Sequence, residues 1–488
     1  MNKQPDHPEL VKSILSGARW ALLFRSCAQF FSWIVGIIVV RFIDPTDYGL
    51  NAMLEAPLEL LGLLCTLGLD AALVRFKKIE QEDLHSAFGW LLVTNGLLFL
   101  AYFFGGALLA AYFNEPGLDP LAKALACIFL LVPFRVIPNA LLDRELKFKL
   151  VASVDMIANM TATMVTLVLA IMGKGVWALV LGVLTNRVLQ CALLMIIQPW
   201  MVRPSLGLAP LRRMLLFAGN VAIYRALGVL SDKLVSLIAG PILGAGILGI
   251  YTVTMGFALL PLSKTMPIIN PIMFPAFSKL QGQPALAAYY LERSLGVFSL
   301  ILFPMMLGMA CVSNEFVHTI LGEKWRDAAT PLALLSLSMP FRTVTSFIRP
   351  VMMGMGRVDL TLKSALFMLF VLVPMLLIGV NYGMLGLIVA TLVAEPIVTF
   401  VTIQLSKRVI NVSFTGIYLS LRPAICATLV MTACVLWTII ALSQIISGWM
   451  GLLVEVSVGV VSYFIVLKLF FADQLSNAYR LILGKRGG

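Results

Sequence analysis

Charge is scarce in this sequence. Only 12% of its 488 residues are Asp, Glu, Lys or Arg, while 60% are hydrophobic. A soluble protein averages about 25% charged residues, so with a mean hydropathy of +0.96 a water-soluble globular chain is excluded. Histidine is nearly absent: His7, His85 and His318 lie far apart. The seven cysteines (27, 65, 127, 191, 311, 426 and 434) all fall in apolar runs. No CxxC pair or Cys/His cluster exists, so nothing supports disulfides or a metal site. The GxxxxGK[ST] phosphate loop is missing, which leaves direct ATP hydrolysis unsupported. No DxD-like carboxylate cluster sits in a polar stretch, which disfavours a nucleotide-sugar transferase. The alternating ten-residue pattern of an outer-membrane barrel is absent too. The N-terminus shows no cleavable signal: its first apolar run is too long and lacks a small-residue cleavage site, so it is expected to stay as a first helix.

What the chain does have is apolar runs of about 20 residues or more, the length that crosses a hydrocarbon core of roughly 30 Å as a helix. Fourteen spans are expected, near 18–42, 49–74, 87–113, 121–142, 151–172, 175–198, 213–239, 245–276, 290–313, 329–353, 361–381, 384–406, 422–446 and 448–471. The connections are short and leave no room for a soluble domain. One set of loops carries Lys77, Lys78, Arg144, Lys147, Lys149, Arg203, Arg212, Arg213, Lys279, Arg357, Lys407 and Arg408; the alternate set holds little beyond Arg41, Lys174, Lys324 and Arg326. The positive-inside rule places both termini in the cytoplasm. It also explains the net charge of +12 without nucleic acid.

A shift of 200 residues sets Arg25 over Arg225 and Gly49 over Gly249. Spans one and seven both start at the cytoplasm. The expected fold is therefore all-α and polytopic, with about fourteen transmembrane helices. Two six-helix lobes (1–206 and 207–410) form a parallel pseudo-twofold repeat of the kind transporters use. Helices thirteen and fourteen and a basic cytoplasmic tail (411–488) follow.

Charges inside spans are costly and commonly face a bundle interior or a water-filled cavity. Arg25 can snorkel to the interface or face such a cavity. Arg225 lies a dozen residues past Arg213, roughly 18 Å along a helix, too deep to snorkel easily. Arg342 and Arg349 are seven apart on one helix face, and Lys264 sits among Pro261, Pro267, Pro271 and Pro275. These five cations are the candidate phosphate-binding set, since guanidinium forks bind phosphate oxygens bidentately. The acids Glu55, Glu59, Asp70, Asp232 and Glu395 are candidates for coupling to a proton or sodium gradient; partnering an arginine is the other reading of each. No catalytic residue, metal or cofactor is expected, and the chain is read as a transporter rather than an enzyme.

Phe274-Pro275-Ala276-Phe277-Ser278-Lys279-Leu280-Gln281 resembles the "fPxfSrlq" signature of the polysaccharide transport family, the Wzx-like oligosaccharide flippases. Asp232-Lys233-Leu234 and Leu248-Gly249-Ile250-Tyr251 are similar to its "D-k-l…LGxY" pattern, and Asp47-Tyr48-Gly49-Leu50 is the related stretch of the first repeat. The likeness spans most of residues 15–410 and is nearest the colanic-acid-exporter-like subgroup. It implies the fold of the multidrug/oligosaccharidyl-lipid/polysaccharide exporter superfamily. It further implies flipping of an undecaprenyl-pyrophosphate-linked oligosaccharide across the bacterial inner membrane, with the bilayer and polysaccharide polymerase or assembly proteins as partners. Residues 274–281 read as a structural loop at the cytoplasmic rim. A multidrug exporter, a lipid II exporter, and a membrane polymerase or ligase are the alternatives.

Overall fold

The computed structural model describes residues 8–66, 68, 69, 73, 81–200, 203–442, 448–472 and 474, with side chains for all of these except 8–19, 21, 22, 25, 26 and 208–225. Every regular element among the described residues is helical. In hydrocarbon each backbone N–H and C=O must be satisfied within its own segment, which a helix achieves. The long helices are α1 (Pro8–Phe42), α2 (Pro45–Gly62), α3 (Gln81–Phe113), α4 (Leu118–Arg144), α5 (Phe148–Ile171), α6 (Val176–Ile197), α7 (Leu208–Ser278), α8 (Pro284–Cys311), α9 (Ala329–Gly354), α10 (Val358–Gly379), α11 (Gly383–Ser406), α12 (Phe414–Leu442) and α13 (Trp449–Phe470).

Among the described residues, ten helical stretches are long and apolar enough to cross a membrane, or eleven if the bent pair 27–42 and 45–62 is one span. The protein is thus a multi-pass membrane protein. Its outward side chains agree: Leu108 is 75% exposed and Ile440 79%, positions that suit lipid and not water. Two of the stretches, Ala226–Ser278 and Val358–Ser406, far exceed one crossing.

The breaks have local causes. Between α1 and α2 the chain turns by 120°. Pro45 opens α2 and pushes Asp44 into extended backbone (φ −80°, ψ 153°), because the proline ring clashes with a helical predecessor. Within α7, Gly244 adopts φ 77° and ψ 172°, a conformation glycine takes without strain. Gly49 of α2 lies against this kink: a Cβ there would come within 1.8 Å of the Ala245 carbonyl oxygen. The Asp47-Tyr48-Gly49 stretch is thereby a packing element.

The chain divides into two compact units, Met1–Ala245 and Gly246–Gly488. In the first, α3 packs on α4, α4 on α6, α5 on α6, and α1 on α5. Val35, Val39, Ile43, Ala170 and Ala178 form one of its core clusters, joining α1, α5 and α6. In the second, α8 packs on α9, α9 on α11, α10 on α11, and α12 on both α8 and α13. Here the Phe274–Gln281 stretch ends α7 and turns beneath α9. Phe277 is buried, Gln281 Nε2 donates to the Gly354 carbonyl at 2.8 Å, and a Cβ on Gly354 would press on Phe274 and Phe277.

Candidate functional site

The first unit contains a cavity of about 390 Å³ walled by α2, α4 and α6. Asn51, Glu55 and Glu59 project from α2 at four-residue intervals, the spacing that keeps side chains on one helix face. The other helices contribute Arg135, Phe129 and Val132 of α4 and Arg187 of α6.

Its two sides differ in charge. On the α2 side, Lys233 of α7 pairs with Glu59 Oε1 at 2.9 Å and Glu55 Oε2 at 3.3 Å, and Asn51 Nδ2 donates to Glu55 Oε1 at 2.8 Å. One lysine thus serves two carboxylates and leaves a negative excess. On the α4 and α6 side both guanidinium groups donate to the same atom, Gln190 Oε1, from Arg135 at 3.1 Å and from Arg187 at 3.4 Å. Gln190 Nε2 in turn donates to Asp155 Oδ1 at 3.2 Å. Two cations therefore share one neutral acceptor and keep further donors for a ligand. Guanidinium N–H groups are five in number and accept nothing, so an anion with several oxygens matches them.

In the second unit Arg342 is held by Glu395 of α11 at 3.3 Å, with side-chain exposures of 19% and 5%. Beside that pair the Tyr251 and Thr391 hydroxyls are 3.0 Å apart. Arg349 donates through Nε to Ser364 Oγ at 3.4 Å and packs its Nη2 against Met368 Sδ at 3.7 Å, both on α10. The two arginines of one helix face thus go to different neighbours. Lys264 is half-buried in the second limb of α7, and Asp232 is exposed next to Lys233. The side chains of Arg25 and Arg225, and all of Asp70, lie outside the described residues.

Arg135 and Arg187 did not enter the set read from the sequence. Their signal was present in Pro133-Phe134-Arg135 and Asn186-Arg187-Val188: each is a cation in the middle of an apolar run. Neither recurs at the 200-residue shift that singled out Arg25.

Comparison with known proteins follows the same line. The Escherichia coli K12 lipopolysaccharide biosynthesis protein WzxC is 28% identical over 417 residues, covering 84% of this chain and 85% of the relative. The Rhizobium meliloti succinoglycan biosynthesis transport protein ExoT is 23% identical, covering 86% and 85%. Among solved structures, lipid II flippase MurJ in an inward closed conformation superposes with a TM-score of 0.71 at 16% identity, over 93% of this chain and all of that one. An inward-facing multidrug transporter of the MATE family gives 0.57 at 15% identity, over 80% and 97%; at such identities the likeness is one of fold. A family described as "Polysaccharide biosynthesis protein" matches residues 38–330. That match takes in more than half of the sequence, and the chain belongs to this polysaccharide biosynthesis family, as the motif at Phe274–Gln281 implied.

Proposed function

We propose that this protein flips a lipid-linked oligosaccharide, carried on undecaprenyl pyrophosphate, from the cytoplasmic to the outer face of the bacterial inner membrane by alternating access, for exopolysaccharide or lipopolysaccharide assembly. The observation that carries the reading is the pair Arg135 and Arg187, converging on Gln190 at the wall of a membrane-embedded cavity. A pyrophosphate presents adjacent anionic groups to which two guanidinium forks can each donate in bidentate fashion. The α2 wall, with Asn51 and Glu59, offers the amide and carboxylate groups that hydrogen-bond sugar hydroxyls. A volume of about 390 Å³ is in the small range for ligand sites and suits the diphosphate and the first sugar.

Arg25, Arg225, Lys264 and Arg349 remain in this reading as further phosphate contacts along the path. Arg342 is assigned instead to its ion pair with Glu395. Fourteen crossings are supported if the limbs of α7 on either side of Gly244, the helices α10 and α11, and the bent pair α1 and α2 each count separately. The parallel repeat is supported by pairing: α3–α4, α4–α6 and α5–α6 have counterparts in α8–α9, α9–α11 and α10–α11. The lobes would then run 1–206 and 207–410, with 411–488 appended. Both termini would be cytoplasmic, and polymerase or assembly proteins would receive the product.

The test is the sidedness of the lipid-linked oligosaccharide pool in a strain lacking this protein. Completed repeat units accumulating on the cytoplasmic face are the expected result. Units that reach the outer face and stay unpolymerised would assign a polymerase or ligase. An unchanged pool would overturn the reading in favour of a multidrug or lipid II exporter, whose fold the chain shares.

A further inference from the structure

Several carboxylates inside the helices have polar partners: Glu55 and Glu59 have Lys233, Glu395 has Arg342, and Asp155 has Gln190. Glu455 of α13 differs from them. It is 6% exposed, and its Oε2 is buried with no hydrogen-bond partner among the described residues. No lysine, arginine or histidine there pairs with it. Its charged neighbour is another acid, Glu315, from the short helix Ser313–Phe316 that follows α8. Glu315 Oε2 accepts the N–H of Gly448, the residue that opens α13, at 3.2 Å.

The other groups around Glu455 supply no counter-charge. From α8 comes the Cys311 thiol, which lies near Thr432 of α12. On α13, Gly459 packs one turn further on against Met431 and Val435 of α12, and the Tyr463 hydroxyl donates to the Leu300 carbonyl of α8 at 2.7 Å. The ionic residues of these helices stand at their opposite ends: Glu292 and Arg293 on α8, Arg422 on α12 and Lys468 on α13. Lys468 is roughly 20 Å from Glu455 along the helix.

An isolated carboxylate buried without a partner is far costlier than a neutral carboxyl, and a second carboxylate beside it adds repulsion. The free N–H groups at the start of α13 favour a negative charge on Glu315. The pair therefore divides the roles: Glu315 holds the charge at the water-facing end, and Glu455 is left to hold a proton. We infer that Glu455 is a proton-binding site, served from the side of the membrane where α8 ends and α13 begins, and that its protonation sets the packing of α12 and α13 on α8 during transport. The proton comes from water and adds to a carboxylate oxygen of Glu455. On release it returns to water, and the carboxylate left behind requires an arrangement that hydrates it. Binding and rearrangement are thus linked as any ligand is linked to the state it prefers. The use in transport rests on the flippase reading; the proton itself does not.

The site is tested by infrared difference spectroscopy of the purified protein in vesicles of phosphatidylethanolamine and phosphatidylglycerol. The wild type shows the carbonyl stretch of a protonated carboxyl at neutral pH, shifted in heavy water. Glu455→Gln loses that band. Glu455→Asp keeps it, and Glu315→Gln makes it vanish at a lower pH than in the wild type. A wild-type spectrum without the band, or a band retained in Glu455→Gln, overturns the site. In cells, Glu455→Gln lowers the outer-face pool of repeat units roughly tenfold, an ordinary size for a coupling between two events. Undiminished export by that variant overturns the link to transport and leaves the flippase reading intact. A deletion strain with an unchanged oligosaccharide pool overturns the flippase reading and leaves the proton site to its spectrum.

Discussion

Arg135 and Arg187 donate to a single amide oxygen, and the one carboxylate that acts on Arg187, Asp155, stands behind Gln190, so an anion between the two guanidinium groups relieves the repulsion that is left. Lysine keeps the charge but replaces the planar fork with a point charge. Each charge-assisted hydrogen bond contributes about 1.5–3 kcal/mol, roughly ten- to a hundredfold in an equilibrium. Arg135→Lys and Arg187→Lys are expected to reduce outer-face repeat units by about tenfold, and the alanine variants by more. Protein level and thermal stability in detergent should stay near wild type. Quantifying the pool against melting temperature checks this, and arginine variants that export normally would remove the pair from the site. Arg342 calls for the opposite outcome. Removing one partner of a buried ion pair costs about 3–5 kcal/mol, while replacing both by apolar residues is often neutral. Arg342→Leu alone should therefore melt well below wild type, and Arg342→Leu combined with Glu395→Leu should recover most of the loss. A double-mutant cycle on melting temperature decides it, and additive losses would argue that Arg342 acts outside the pair.

Helix geometry at the Gly49 contact gives a prediction of its own. A Cβ at Gly49 would meet the backbone of Ala245, while at Gly36 of α1 it would meet nothing within 4 Å. Overpacking typically costs about 1–3 kcal/mol, whereas glycine to alanine in an open helical position is favourable by roughly 0.5–1 kcal/mol. Gly49→Ala should lower the melting temperature and Gly36→Ala should leave it level or raise it, as read by thermal unfolding in detergent. Elements of this kind were legible from sequence to different degrees. That the chain is built of membrane-length helices could be read because a crossing has a characteristic length, and ten such stretches stand among the described residues. The break between spans seven and eight was read between 239 and 245, and it falls at Gly244. The partners of the charges could not be read. Arg342 meets a carboxylate 53 residues away on α11, a helix so apolar on every side that it gives little indication of which face turns inward. For the same reason the convergence of Arg135, Arg187 and Gln190 from two helices had no local signature, although each cation was visible as an interruption of its run.

Across the molecule, charge is segregated by end within each unit. In the first, Arg144 donates to the Leu73 carbonyl and Ser205 N–H to the His85 carbonyl. This gathers the segments near 73, 85, 144–149 and 203–205, with Arg144, Lys147, Lys149 and Arg203, at one end. Lys149 sits 5.0 Å above the Trp20 ring there, a basic–aromatic pairing expected at a membrane–water interface. The other end, at residues 41–47, 114–117 and 172–175, has Arg41 and Lys174 together with the acids Asp44, Asp47 and Glu115. In the second unit Asn411 N–H donates to the Pro284 carbonyl, Gln281 to Gly354, and Lys407 lies 4.3 Å from the Phe414 ring. Lys279, Arg357, Lys407 and Arg408 thus share an end, while Lys324 and Arg326 at the other are accompanied by Glu315, Glu323 and Asp327. By the positive-inside rule the basic ends are expected on the cytoplasmic side. Since all seven cysteines are free thiols, they can be replaced without breaking a disulfide, and single cysteines can be placed in each loop. A membrane-impermeant maleimide added to intact cells should label Lys174→Cys and Lys324→Cys. Lys147→Cys, Arg357→Cys and Arg408→Cys should react only after permeabilisation. The reverse pattern would invert the protein and with it the side from which Glu455 is reached. Labelling of both sets from outside would disprove a single orientation, and an alternating-access path with one fixed direction of flipping could then not be assigned to this chain.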